Sequence, residues 1–335
     1  MKLSRRHFHK IALAILSSAP AFSRGSLAEE NTSSHALPLI LDTDIGDDID
    51  DTWALMMLLR MQNIDLRLIT TDFGNTRYRT RLLAKLLQSL GKDDIPLGIG
   101  LDPEDKPGNQ SVWLGDYQLE SYPGKVHEDG VQALIDSIMS SPEPVTLLCI
   151  GPLMNVAEAL RRQPAIAGNA RFVGMYGSIR IGYDGEEKPA AEWNVKVDPQ
   201  SLQEVFAAPW ECTITPLDTC GLIKLKGDDY QKIYSSKDDW MKILMDNYRL
   251  WLPKVTWLDP LPDFEKMSST LFDTLAVHLL QTEDYLHMEN LPLRVNDEGF
   301  TVIDEENGRM VRCASAWKDK PAFEKHLVSL LTGSG

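Results

Sequence analysis

The chain has 335 residues, 43% of them apolar and 25% charged, a balance that excludes wholesale disorder, collagen-like repeats and coiled coil. Its formal charge of −15 repels nucleic acid and anionic lipid. Four cysteines with no C-x-x-C pair exclude a disulfide framework and argue against a zinc or dithiol redox site.

Residues 1–28 hold five Lys/Arg and no Asp/Glu, so the remainder is more acidic still. A basic head, MKLSRRHFHK, is followed by the apolar stretch IALAILSSAPAF, too short to span a bilayer as a mature helix. This is the architecture of a signal peptide. Ser4-Arg5-Arg6-His7-Phe8-His9-Lys10 resembles the twin-arginine export motif. Cleavage sites of the A-x-A kind end at Ala21 and Ala28, the second leaving the more polar spacer. The expected organisation is a leader at 1–28, a short linker at 29–36 and one domain at 37–335, in a periplasmic or otherwise exported protein.

From Leu37 onward, short apolar runs at 37–41, 66–71, 96–100, 145–150, 172–175 and 213–217 read as buried strands. Helix-period segments at 52–61, 76–90, 130–140, 154–162 and 201–208 alternate with them. The βαβα order predicts an α/β fold: a Rossmann-like, open, mainly parallel sheet with helices on both faces. Ligands of such sheets bind beyond the carboxyl ends of the strands. After Ser268 the alternation breaks into a helix to about Leu280, strand-like pieces near Leu293, Phe300 and Val311, a turn at 306–308 and a last helix at 322–331.

The first strand runs directly into Asp42-Thr43-Asp44-Ile45-Gly46-Asp47-Asp48-Ile49-Asp50-Asp51, six aspartates in ten residues. Their mutual repulsion calls for a cation or a helix N-terminus to offset it. Oxygen ligands with no His or Cys nearby favour Ca²⁺ or Mg²⁺ over zinc. An EF-hand is excluded, because counting from Asp42 the sixth position is Asp47 and the twelfth Trp53. A haloacid-dehalogenase-type phosphatase also opens on strand-D-x-D, but it wants Thr or Val where this chain has Gly46.

Strand-D-x-D-x-G followed by D-D before a helix resembles the opening of the inosine-uridine-preferring nucleoside hydrolase family. Further segments match in order: Thr70-Thr71-Asp72-Phe73-Gly74-Asn75, Gly151-Pro152-Leu153-Met154-Asn155, Met175 with Glu192-Trp193-Asn194 and Asp198-Pro199, and Ser269 to Val277 around Asp273. The resemblance runs from about Leu37 to Leu331. It implies a Ca²⁺-dependent ribonucleoside N-glycosidase in which the ion holds the ribose 2′- and 3′-hydroxyls and the attacking water together. Carried over, Asp44, Asp51, Asp273 and the Ile150 carbonyl are the metal ligands and Asp50 is the general base. Asn75, Met175, Glu192 and Asn194 bind the ribose, and Asp42 supports the site from behind. The resemblance also implies a small-molecule nucleoside substrate and a homodimer or homotetramer.

Two departures stand out. Phe272 precedes Asp273 where the family places a His that assists the leaving base, and the long loop from Met175 to Glu192 offers only Asp184 for the ribose 5′-hydroxyl. The base pocket is therefore open to Trp113, His127, Tyr248 and Trp251, with Trp193 and Trp257 as further stacking candidates. Phe272 also motivates a rival reading, a periplasmic nucleoside- or ribose-binding protein with a degenerate hydrolase site. A Mg²⁺-dependent phosphatase is the second rival.

Overall fold

The computed structural model describes residues 36–101 and 106–333. The expected leader and all of the linker but Ala36 lie outside the described residues. Strands β1 (Leu37–Thr43), β2 (Ile64–Thr71), β3 (Leu97–Ile99) and β4 (Val126–His127) interleave with helices α1 (Asp50–Arg60), α2 (Thr76–Ser89) and the single turn α3 (Ser111–Leu114). Then come α4 (Gly130–Met139), β5 (Val145–Cys149), α5 (Met154–Arg162), β6 (Ala170–Met175), α6 (Trp193–Val197), α7 (Pro199–Ala207) and β7 (Cys212–Thr215). The chain closes through α8 (Gly227–Tyr234), α9 (Asp239–Trp251), α10 (Thr274–His278), β8 (Leu286–Val295), β9 (Thr301–Ile303), β10 (Arg309–Trp317) and α11 (Lys320–Thr332).

The described strands form one ten-stranded sheet in the order β4-β3-β2-β1-β5-β6-β7-β10-β8-β9. Pairing is parallel from β4 through β10, and the β8 pairings with β10 and β9 are antiparallel. The mainly parallel expectation thus holds, and the broken pattern after Ser268 is the same sheet extended by β10 and an antiparallel edge. Strand side chains alternate between two cores despite being apolar throughout. Leu39 and Leu41 pack with α1, α2, α9 and α11, while Ile40 packs with α4, α5 and α7. Burial on both faces is what makes these strands continuous hydrophobic runs.

Two sizeable helices, α8 and α9, go beyond the sequence expectation. Tyr230 and Ile233 of α8, and Met241, Leu244, Met245, Tyr248 and Trp251 of α9, are buried, a 3.6-residue stripe that tells a helix from a loop. Asp238 caps α9 by accepting the Trp240 N–H at 2.9 Å and is held by Arg60 at 2.7 Å.

From β1 the chain winds outward through β2, β3 and β4; from β5 it winds the other way through β6 and β7. The switch point therefore lies between β1 and β5, where an open α/β sheet leaves its crevice.

Candidate active site

The aspartate-rich loop leaves the carboxyl end of β1 at this switch point. Gly46 sits at φ +107, and a Cβ at Gly151, just after β5, would stand 2.7 Å from the Asp44 nitrogen. Both positions demand glycine, the first for its backbone and the second for the close approach of the two loops. Asp50 and Asp51 form the first turn of α1, where the helix dipole favours negative charge. Asp273 enters at the N-terminus of α10, its side chain making no cap hydrogen bond.

One carboxylate oxygen from each of Asp50, Asp51 and Asp273 lies within 4.8 Å of the others, and all three residues are buried. Two full charges at that separation repel by about 3 kcal/mol at an effective dielectric of 20. Three such pairs cost roughly 10 kcal/mol, as much as a whole domain's stability. Protons or a cation must therefore neutralise the set. Without an ion, burial pushes Asp50 up to about 6 and Asp44 up to about 7. Burial and the neighbouring acids hold Asp51 and Asp273 well above the usual carboxylate range. A buried, oxygen-only donor set that is unstable when ionised fits a hard divalent cation.

Asp44 stands beside this triad rather than in it, 7% exposed, its charge felt by Asp51, Asp273 and Glu192. Its carbonyl, with those of Ile45 and Phe73, accepts from the buried Arg79 guanidinium, the last two at 3.1 and 2.7 Å. Arg79 thus ties the loops after β1 and β2 together. Motif spacing gives Arg79 no role, although, of the three arginines of α2, it is the one in line at i+3, i+4 and i+7 with Leu82, Leu83 and Leu86, a visible signal for a buried cation seeking acceptors.

Beneath the triad, Asp42 is fully buried and accepts from Thr70 and, at 2.9 Å, from Asn155 Nδ2. It also hydrogen-bonds Asp72, whose other contacts are the backbone N–H groups of Phe73 and Asn155 at 2.6 and 3.5 Å. Burial raises Asp42 to about 6 and Asp72 well above its ordinary value, so the two carboxyls share a proton. The partners of Asp42, namely Thr70, Asp72 and Asn155, come from the motif segments after β1.

Three of the residues expected at the sugar, Met175, Glu192 and Asn194, gather with Ile150 at the ends of β5 and β6 and the start of α6. Asn194 Nδ2 donates to the Ile150 carbonyl at 3.0 Å and lies 3.7 Å from Met175 Sδ. Glu192 is 2% exposed; its carboxylate accepts from the N–H groups of Gly177, Asn194 and Val195 at 3.1, 2.8 and 3.3 Å. Burial raises it to about 7. Asn75 caps α2, accepting the Tyr78 N–H at 2.8 Å and donating to Lys106 O at 2.7 Å, so both ends of its amide are engaged in structure.

The base-pocket candidates separate sharply. Tyr248 and Trp251 are 0% exposed; the tyrosine hydroxyl donates to Met267 O at 3.2 Å and the indole to Asp47 O at 2.7 Å. They are packing residues that present no face to a ligand, a correction to the sequence expectation whose cause is the buried stripe of α9. Trp113 lies against the core with the Lys85 ammonium 4.4 Å over its ring. His127 is half-buried on β4, the edge strand three places from β1. Exposed Asp184 is engaged by Lys224 at 2.7 Å and points away from a sugar-binding role. Exposed Trp257 packs edge-on to Trp251. Two aromatic pairs flank the site residues instead: Phe73 with Trp193, 6.3 Å apart, and Tyr183 with Phe272, 6.1 Å apart. Of these four, Trp193 alone is a stacking candidate from sequence.

Residues 39–325 match the family described as inosine-uridine preferring nucleoside hydrolase. Uridine nucleosidase 1 of Arabidopsis thaliana is 30% identical over 64% of this chain and 67% of its own length. The non-specific ribonucleoside hydrolase RihC of Salmonella newport is 34% identical over 59% and 66%. Among solved structures, a plant nucleoside hydrolase superposes with a TM-score of 0.74 at 20% identity, covering 89% of this chain and 99% of its own. A purine-preferring ribonucleoside hydrolase from Gardnerella vaginalis gives 0.73 at 22%, covering 88% and 98%. With the fold, the switch-point crevice and the ordered motifs in agreement, the chain belongs to the inosine-uridine preferring nucleoside hydrolase family and is a hydrolase of N-glycosyl bonds in nucleosides.

Proposed function

We propose that the crevice between β1 and β5 hydrolyses ribonucleosides to free base and ribose with the help of a bound Ca²⁺, by direct displacement with inversion at C1′. The observation that carries this reading is the buried Asp50–Asp51–Asp273 triad, together with a Glu192 that feels the charge of the neighbouring Asp44 and is tied through Asn194 to the Ile150 carbonyl. When bound, the ion supplies Lewis-acid charge that orients the ribose diol and makes water a better acid. Asp51 and Asp273 would hold it, with Asp44 and the Ile150 carbonyl as the further ligands. Asp50 takes the proton of the attacking water at its carboxylate. Glu192 and Asn194, fixed by backbone hydrogen bonds, hold the sugar in one orientation and so reduce the entropy of reaching the transition state.

A second assignment is supported by Asp50 lying inside the triad and Asp44 beside it: Asp50 ligates and Asp44 takes the proton. Asn substitutions separate the two. The variant at the base loses kcat and keeps calcium affinity; the variant at the ligand loses calcium affinity first.

The reading is tested by reducing-sugar release from purine and pyrimidine ribonucleosides, with 2′-deoxy controls, in calcium and after chelation. Calcium-dependent release of ribose is expected. Calcium-dependent nucleoside binding without turnover would favour the binding-protein rival, and phosphate release from phosphate esters the phosphatase. We further propose twin-arginine export to an extracytoplasmic compartment, supported by Arg5-Arg6 ahead of the apolar stretch. The double variant Arg5→Lys, Arg6→Lys should remain unprocessed in the cytoplasm, and normal export of it would remove the assignment. A homo-oligomer is proposed with the family reading and is tested by light scattering.

A further inference from the structure

Cleaving a nucleoside breaks the C1′–N bond and leaves its electron pair on the nucleobase, a poor leaving group unless a donor meets the developing charge. The carboxylates of the crevice serve the cation and the water, and Phe272 has no proton to give. Around the site residues, one neutral O–H group stands out. The Tyr183 hydroxyl accepts the Trp193 N–H at 2.8 Å, at the start of the segment that carries Glu192 and Asn194. Its ring meets the Phe272 edge at 6.1 Å and 84°, and Phe272 immediately precedes Asp273 of the triad. Tyr183 therefore bridges the sugar-holding segment and the metal-holding segment. With one lone pair engaged by Trp193, its own proton has no protein acceptor among the described residues and is available to a ligand.

The loop that carries Tyr183 is held rigidly. Asp218 accepts the N–H groups of Ile179 and Arg180 at 2.8 and 2.9 Å, and Ser178 Oγ donates to Ile181 O at 2.7 Å while accepting the Ala190 N–H at 2.9 Å. Gly182 N–H donates to Glu186 O at 2.9 Å, closing the turn around Tyr183 itself. Burial and the nearby Glu192 raise the phenol, so it is protonated before the reaction, and the acidity a donor needs would come from the cation that neutralises the crevice.

Resting on the hydrolase reading above, we propose that Tyr183 is a catalytic residue, the proton donor to the departing nucleobase. As C1′–N breaks, the electron pair passes to the base, which takes the Tyr183 proton. The water oxygen forms the new C1′–O bond and its proton goes to the crevice carboxylate. That proton is returned to the tyrosinate through solvent, restoring both groups.

The test compares Tyr183→Phe with the unaltered enzyme on two substrates: inosine or uridine, and p-nitrophenyl β-D-ribofuranoside, whose phenolate departs without a proton. The expected result is a fall of about 100-fold in the ratio of kcat/KM for nucleoside over activated riboside. An unchanged ratio, whether both activities fall together or neither does, overturns the proposal, because lost packing at Phe272 or Trp193 would move both substrates alike. Should Tyr183→Phe fail to fold, the unaltered enzyme decides: kcat/KM across aryl ribosides depends weakly on leaving-group acidity if the donor acts, and a steep dependence overturns it. An unaltered enzyme that cleaves neither substrate would count against the hydrolase reading instead.

Discussion

Two groups of buried aspartates share the carboxyl end of β1 and have opposite chemistry. Asp42 and Asp72 sit among donors: Thr70, Asn155 and two backbone N–H groups satisfy them, and one shared proton removes the remaining charge. Asp50, Asp51 and Asp273 sit against one another, with Asp50 hydrogen-bonded to Asp273 and to the backbone N–H groups of the same three residues and with Thr43 Oγ1 at 2.5 Å from Asp51. The first group fastens β1, β2 and the first turn of α5 together. The second stays incomplete until a cation joins it. Residue type and burial are nearly the same in both; what differs is the charge brought together, two carboxyls in the first group against three in the second with Asp44 beside them.

The comparison breaks most visibly at the triad. Asp51→Asn is expected to lower kcat by roughly 1,000-fold or more and to weaken calcium binding by at least tenfold, read by sugar release and titration calorimetry, with little loss of folded protein. Activity within tenfold of the unaltered enzyme would refute the role of Asp51.

The Asp42–Asp72 network should respond in stability instead. Asp42→Ala removes an acceptor from each of Thr70 and Asn155 and the carboxyl partner of Asp72, and should cost about 2–4 kcal/mol in denaturant unfolding. Asp42→Asn, whose amide can donate to Asp72, should cost less than half as much. Equal losses would mean that the shared proton is not what holds the pair.

Arg79→Lys tests the clamp between the two regions. It keeps the charge but not the fork that reaches three carbonyls, so a loss of about 1–2 kcal/mol is expected, together with a rise in KM larger than the fall in kcat. An unchanged KM would confine Arg79 to the fold.

The smallest effect sharpens the comparison through pH. With calcium removed, Asp44 and Asp50 hold protons in the folded state up to about 7 and about 6, against about 3.9 when unfolded. The folded state therefore binds more protons between those values, and its stability falls as pH rises from about 4 to 7. Calcium reverses the penalty, so the calcium-induced rise in Tm should grow by a few degrees from pH 5 to pH 8. A larger calcium effect at pH 5 would contradict protonation of the empty triad.

Much of the fold was legible because its signals are local. The apolar runs that became β1, β2 and β5 to β7, and the helix-period segments that became α2, α4 and α5, lie within windows of about ten to fifteen residues. The acids after β1 were legible for the same reason, since a strand that delivers six aspartates to its carboxyl end marks a ligand crevice by its pattern alone. The base side was not. Tyr248 and Trp251 read as ligand aromatics until the stripe of α9 buried them, and Tyr183 carries no motif.

The amino-acid sequence by itself determined the alternating α/β order, the position of the acidic loop at the head of α1 and the family to which the chain belongs. These rest on periodicity, capping and motif spacing, all properties of neighbouring residues. Tertiary structure alone decided that Asp273 meets Asp50 and Asp51, that Asp44 stands beside them, and that Tyr183 rather than His127 or Trp251 faces Phe272. Those pairings join segments far apart in the chain, and which side chain reaches a crevice is set by how whole helices pack on the sheet.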